Sequence, residues 1–376
     1  MYVKSHRFFD DFQAALAANP ETSVVHSLAA SPRLSDFLED LDPDLSLDWS
    51  AQSFQGMPAL REKVVARMGV GLTCNAGDVL ITAGAAEANF LAITQLVQPE
   101  DEIIVDVPGW PQPLVLGEAI GATVKRLVRR EEEAWKFDLD DLAALVTSRT
   151  RLIFICNPNN PTGQVLSEDE IQSVVRIADR VGAYVLCDEV YAGLEWDGQP
   201  TPRVANYYER GISTGSISKA LGMQGLRTGW LICPDPQVVT DAMVLREDSS
   251  EIMNIMGEAI ADVALRAERY NIAMSKSRAE GWANLDLLDS FVNMRPELTW
   301  QRPPAGLVGL VRLNLPIDSD DFAAGLLGEP YRTFIMSGAV YGYPDHVRLG
   351  VGGGPEARFE EGLLRMGAYI DTLVAK

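Results

Sequence analysis

From Asp78 onward the hydrophobic and polar positions switch between two periods. DVLITAG, DEIIVDV, ATVKRLV, RLIFICN and AYVLCDEV are short apolar runs, and the segments between them, such as AEANFLAITQLV, PLVLGEAIG, DLDDLAALV and EDEIQSVVRIADRVG, repeat with helical spacing. This alternation predicts an α/β fold with a mostly parallel central sheet covered by helices, since parallel strands need helical crossovers to return the chain. RLIFIC and AYVLC are continuously apolar, as central strands buried on both faces should be. Functional groups are then expected in loops beyond the carboxyl ends of those strands. From about Gln237 the pattern is helical through the Asp289 region. TWQRP, GLVGLVRLN, TFIMSG and HVRLGVGG then read as strands before a closing helix from about Pro355, a second and smaller α+β unit. Residues 1 to 45 carry no sheet pattern of their own and are expected to pack on that unit and across the cleft. The predicted division is a large domain over 46–284 and a small one built from 1–45 and 285–376.

The balance of 53 acidic against 32 basic residues, a net charge of −21, argues against nucleic acid and anionic lipid as partners. The one basic stretch, Lys125, Arg126, Arg129 and Arg130, is followed at once by Glu131, Glu132 and Glu133 and reads as a solvated strand edge. Cys74, Cys156, Cys187 and Cys233 are scattered, with no metal-like pairing to histidine, so a reducing compartment and no metal are expected. The N-terminal MYVKSHRFFDDF is too polar for a signal sequence, and no apolar run is long enough to cross a bilayer; a cytoplasmic protein is expected.

Three strand ends carry chemistry. Ser216-Ile217-Ser218-Lys219 closes one predicted strand, with Gly225-Leu226-Arg227-Thr228-Gly229-Trp230 close behind. A lysine screened from water at such an edge can have its amine pKa lowered and form Schiff bases. Asn157-Pro158-Asn159-Asn160-Pro161-Thr162-Gly163 follows RLIFIC directly, and Asp188-Glu189-Val190-Tyr191 follows AYVLC. Taken singly, Asp188 could cap a helix, Asn160 could make a turn, Trp110 could be core and Arg348 could sit in an interlobe salt bridge.

Together, from about Leu60 to Arg348, these motifs resemble the class I/II aminotransferases of fold type I, aspartate aminotransferase-like enzymes that use pyridoxal 5′-phosphate (PLP). The resemblance implies a homodimer acting at Cα of a free L-amino acid, through an external aldimine and a quinonoid. It implies that Lys219 forms the internal aldimine and moves protons at Cα, and that Asp188 lies under the pyridine nitrogen. Asn160 and Tyr191 match the groups that hydrogen-bond the phenolate oxygen. Ser216 and Arg227 match the phosphate ligands, with Gly84, Ala85 and Ala86 adding backbone N–H groups at a helix N-terminus. Trp110 matches the aromatic residue that stacks on the ring, and Arg348 the arginine that clamps the substrate α-carboxylate.

The chain departs from the family pattern at two places. Family members often carry a tyrosine five residues before the glycine of the segment Gly56-Met57-Pro58-Ala59-Leu60-Arg61; here that position is Ala51, and the nearest upstream aromatic is Trp49. Val25-His26-Ser27-Leu28 stands where many aminotransferases have a glycine-containing substrate loop. Both features are similar to the capreomycidine synthase group of the family, which eliminates a hydroxyl from a hydroxylated arginine and closes the guanidine onto the chain. That similarity implies elimination or cyclisation of an arginine-like substrate, with His26 and Ser27 as substrate-side candidates beside Arg348 and Asn160, and Asp10, Asp11 and Glu21 as acids able to meet a guanidinium. A conventional aminotransferase is the alternative, and a non-catalytic PLP-fold binding module is a third reading, opposed by the intact Lys219, Asp188 and Arg227.

Overall fold

The computed structural model describes residues 1–48, 53–354 and 356–375. Among them a seven-stranded sheet is built, in chain order, from β1 (Val79–Thr82), β2 (Glu102–Val107), β3 (Thr123–Val128), β4 (Thr150–Cys156), β5 (Tyr184–Asp188), β6 (Gly211–Ser216) and β7 (Gly229–Ile232). The spatial order is β1-β7-β6-β5-β4-β2-β3, and β7 is the strand that runs against its neighbours. The mostly parallel α/β sheet expected from the sequence is therefore present, with β4 and β5 in its interior.

Why the stretch Leu152–Cys156 of β4 is apolar throughout is visible in where its side chains go. Leu152, Phe154 and Cys156 of β4 enter the core on one face, with Ala88 and Leu91 of the helix Ala85–Leu96; Ile153 and Ile155 enter the core on the other, with Ile171 and Val174 of the helix Glu168–Asp179. An alternation that normally separates inside from outside here separates two insides. Each such side chain contributes roughly 1.5–3 kcal/mol by leaving water.

A second, antiparallel sheet is ordered β10-β11-β9-β8, formed by β8 (Leu298–Trp300), β9 (Val308–Leu313), β10 (Met336–Ser337) and β11 (His346–Gly350). The closing helix is Glu356–Val374. The TFIMSG run is divided: Met336–Ser337 joins this sheet, whereas Thr333–Phe334 pairs in parallel with Thr22–Ser23. The N-terminal segment, expected to lack sheet structure, thus contributes one two-residue strand. Its helix Arg7–Ala17 is tied by Arg7 to Asp320, and Phe8 touches both Trp110 and Tyr341 at ring-centroid distances of 5.1 and 6.4 Å.

The basic stretch on β3 corrects the sequence reading. Arg129 is not a solvated residue: it is fully buried, with Nη2 2.7 Å from Asp106 Oδ2. Lys125 reaches inward to the buried Glu102 at 2.6 Å, where Arg149 also donates at 2.6 Å and Thr147 at 2.7 Å. Burial would push the Glu102 carboxyl up, but these hydrogen bonds and the two cations outweigh it and hold the group down to about 2. A depressed carboxylate stabilises the fold above its unfolded pKa and loses that contribution as pH falls through the folded value. Glu102→Gln should therefore cost roughly 1–2 kcal/mol at pH 7, allowing for solvent screening of the exposed Arg149. The deficit should shrink between pH 4.5 and 2, and urea unfolding of both proteins along that range checks it.

Candidate active site

The edge of the large sheet where β1, β4, β5 and β6 end gathers the predicted motifs. Asp188 is the last residue of β5, facing Cys156 and Thr214 across the ladder, and Ser216 is the last of β6. Because β7 runs the opposite way, its first residue lies at this same edge: Gly229 pairs with Thr82 on one side and Ser216 on the other, which brings Arg227 beside Gly84. Arg227 Nη2 donates to the Ala83 carbonyl at 3.0 Å and Nη1 to that of Gln224 at 3.1 Å. A Cβ built on Gly84 would lie 2.7 Å from Arg227 Nη2, and the φ of +82° already disfavours a side chain there. This leaves a guanidinium against the N-terminus of the helix Ala85–Leu96, which begins with Ala85 and Ala86. A dianionic phosphate suits such a cradle.

Asp188 is buried and held from two sides. Asn89 Nδ2 donates to its Oδ2 at 2.8 Å and the Val190 N–H to its Oδ1 at 3.2 Å; Thr214 Oγ1 in turn donates to Asn89 Oδ1 at 2.8 Å. Burial pushes the Asp188 carboxyl up from its ordinary value, while Asn89, the Val190 N–H and the Lys219 charge pull it back. Lys219 is half-buried, its Nζ 5.9 Å from the centroid of the Tyr191 ring. Its carbonyl accepts from the Ala29 N–H at 2.8 Å, joining the lysine loop to the N-terminal segment.

In the turn after β4, Asn159 makes the local hydrogen bonds, accepting from Thr162 Oγ1 at 2.7 Å and donating to the Pro108 carbonyl at 3.2 Å. Asn160 is thereby released from the turn. Among the described residues Asn160 Oδ1, Tyr191 OH, Tyr341 OH and Arg348 Nε are buried without a hydrogen-bond partner. Such groups cost about 1–3 kcal/mol each unless something else satisfies them.

Arg348, on β11, is buried, and its Nη1 donates to the Val25 carbonyl at 2.9 Å, a peptide oxygen rather than a carboxylate. Next to Val25, the His26 ring shares a hydrogen bond with Ser23 Oγ at 2.7 Å; burial and the Arg358 and Arg348 charges lower its pKa from the ordinary value. Ser27 is buried beside it. Trp110, half-buried after β2, meets the N-terminal helix through Phe8 and through His6, whose ring lies 5.9 Å away. The acids of the N-terminal segment are engaged elsewhere: Asp10 with Ser5 at 2.6 Å, Asp11 with Arg7 at 3.3 Å, Glu21 with Arg365 at 2.8 Å and Arg332 at 3.1 Å. Trp49 and Ala51 lie outside the described residues.

The description "Aminotransferase class I and II" matches residues 50–365 as a family. The chain belongs to that family. It is 28% identical over 328 residues to capreomycidine synthase of Streptomyces vinaceus, covering 84% of this chain and 80% of that protein. It is 26% identical over 319 residues to an aspartate aminotransferase of Streptomyces avermitilis, covering 80% and 77%. The crystal structure of a PLP-dependent aminotransferase from Streptococcus suis superposes with a TM-score of 0.90 at 25% identity over 99% of each chain. The protein is an enzyme of this family and its cofactor is PLP; the Arg227 guanidinium at the Gly84 turn, the buried acid and the unpartnered Tyr191 hydroxyl at one sheet edge fit that group. Among the described residues no cluster of metal-ligating side chains occurs, and no helix is long and apolar enough to cross a membrane.

Sequence reading missed Asn89, Thr214 and Tyr341. Asn89 did leave a signal: it is the one amide in the first two turns of the AAEANFLAITQL helix, on its buried side.

Proposed function

We propose that the chain binds a free L-amino acid with its α-carboxylate on Arg348 and its reacting Cα beside Lys219, and that it eliminates and cyclises a hydroxylated arginine-like substrate. In this reading Arg227, Ser216 and the Gly84-Ala85-Ala86 turn hold the cofactor phosphate. Asn160 and Tyr191 donate to the ring oxygen, Trp110 packs on the ring, and Asp188 keeps a proton on the ring nitrogen. When bound, PLP supplies a sink for the electron pair left at Cα. Lys219 takes the Cα proton and hands it to the departing side-chain hydroxyl, which leaves as water. The guanidinium must shed a proton as its nitrogen closes on Cβ, and Cα must regain one, so the net change is loss of one water. The working unit is taken to be a homodimer, with domains at 46–284 and at 1–45 plus 285–376.

The observation that carries the cyclisation branch is the 28% identity to capreomycidine synthase over most of both chains. Lys219, freed of its proton once water leaves, can take the guanidinium proton and return it to Cα. His26 is kept as a substrate-side candidate because it adjoins Val25, whose carbonyl holds Arg348. The comparable identity to aspartate aminotransferase favours a second reading, transfer of the amino group to a 2-oxo acid. Mass spectrometry of products from L-arginine and 3-hydroxyarginine, with and without a 2-oxo acid, separates the two. Loss of water with all nitrogens retained is expected; a keto acid formed only with acceptor would replace the cyclisation reading by the second one.

A further inference from the structure

Tyr341 belongs to no motif carried over from the family resemblance, yet it stands where the proposed substrate would be read. It ends the short turn Gly338–Tyr341 that leaves β10, and β10 pairs with β11 so that Met336 faces Arg348. Its ring lies in a small apolar cluster with Val25, Phe334 and Met336, under Phe8 of the N-terminal helix. Val25 is the residue whose carbonyl takes Arg348 Nη1 at 2.9 Å, so the phenol and the guanidinium are fastened to the same point of the N-terminal segment. Tyr341 is 8% exposed, and among the described residues its hydroxyl and Arg348 Nε are both buried without partners.

A hydroxyl adds nothing to apolar packing that phenylalanine would not supply, and leaving it unmatched is costly. Burial pushes the Tyr341 phenol up to about 12, with the Arg348 charge opposing, so it keeps its proton across the physiological range and acts as a donor. A neutral donor packed with Val25 and Met336, the residues that fasten and flank Arg348, and a guanidinium with a free N–H are suited to one small anion that accepts from both.

We infer that Tyr341 is a second reader of the substrate α-carboxylate, donating its hydroxyl to the anion that Arg348 holds by charge. This rests on the Arg348 assignment proposed above. The two side chains then contribute differently to one anion. The guanidinium supplies most of the attraction, and the phenol fixes the rotation of the carboxylate, hence which bond at Cα faces Lys219.

The experiment uses the holoenzyme and two reagents that attack any PLP aldehyde, aminooxyacetate with a carboxylate and O-methylhydroxylamine without one. Bleaching of the cofactor's visible absorption gives a second-order capture rate for each, whatever side chain the natural substrate carries. Tyr341→Phe should slow aminooxyacetate about ten- to hundredfold, as loss of a hydrogen bond to a charged group does, and leave O-methylhydroxylamine within about twofold. Its melting temperature and PLP content should match or exceed wild type, because the deleted hydroxyl has no protein partner to lose; a structural hydroxyl would lower both. Arg348→Lys is the parallel variant. If Arg348→Lys slows aminooxyacetate selectively and Tyr341→Phe does not, the Tyr341 inference is overturned and the Arg348 reading stands. If Tyr341→Phe slows both reagents equally, the phenol serves the cofactor and the inference is again overturned. If only Tyr341→Phe is selective, the phenol reads the carboxylate and the Arg348 reading fails.

Discussion

Lys219→Ala is expected to abolish turnover, by about 10⁴-fold or more, and to remove the visible absorption of the lysine-bound cofactor while leaving the fold intact. On the proposed reading two losses combine: the covalent anchor for the cofactor, and the amine that moves a proton at Cα, which lies 5.9 Å from the Tyr191 ring centroid. General-base removal alone is worth about 10²–10⁴-fold. The side chain is half-buried and makes no structural ion pair among the described residues, so the melting temperature should change little. Small amines such as methylamine should partly restore proton transfer without restoring the anchored spectrum. Product formation within about tenfold of wild type would sink the assignment and move the base elsewhere.

Asp188→Asn is the second large effect, expected to lower kcat by about 10²–10³-fold while PLP is still bound through its phosphate cradle. Asparagine preserves shape but removes the charge, and its NH2 would face one of the two donors, Asn89 Nδ2 or the Val190 N–H, that the carboxylate oxygens accept from. In the native protein the acid is kept serviceable despite burial by Asn89, itself oriented by Thr214, and by the Val190 N–H. A positive ring nitrogen would add a cation to a site where burial otherwise pushes the Asp188 carboxyl up. Single-turnover kinetics should place the loss in the Cα proton-transfer step rather than in substrate affinity. Equal loss in affinity with an unchanged chemical step would show that the acid is a structural support only.

Much of this arrangement was legible along the chain because parallel α/β sheets write themselves locally. RLIFIC and AYVLC had to be buried on both faces, and residues immediately after them had to lie at the ligand-binding edge. Less legible were contacts whose two halves are far apart. Nothing near Arg129 announced that it would turn inward to Asp106, since a charge on an edge strand is ordinarily solvated; the partner comes from another strand. The family resemblance singled out Asn160 over its neighbour without a physical reason, and only the closed turn shows Asn159 spent on Thr162 and Pro108 and Asn160 Oδ1 without a partner. The N-terminal acids looked available to a guanidinium, but Arg7, Arg332 and Arg365 reach Asp11 and Glu21 first.

The sequence by itself determined the α/β class and the family, with its cofactor, and the sheet edge at which the motifs gather, because periodicity and motif order are properties of neighbouring residues. Tertiary structure alone decided that the reversed strand β7 delivers Arg227 to the Gly84 turn, that Asn89 holds Asp188, and that Val25 fastens Arg348 while sharing an apolar cluster with Tyr341. Those pairings join residues 99 to 323 positions apart or strands of opposite direction, and which of them form depends on the packing of the whole chain, where each buried polar group must find a partner that local sequence does not specify.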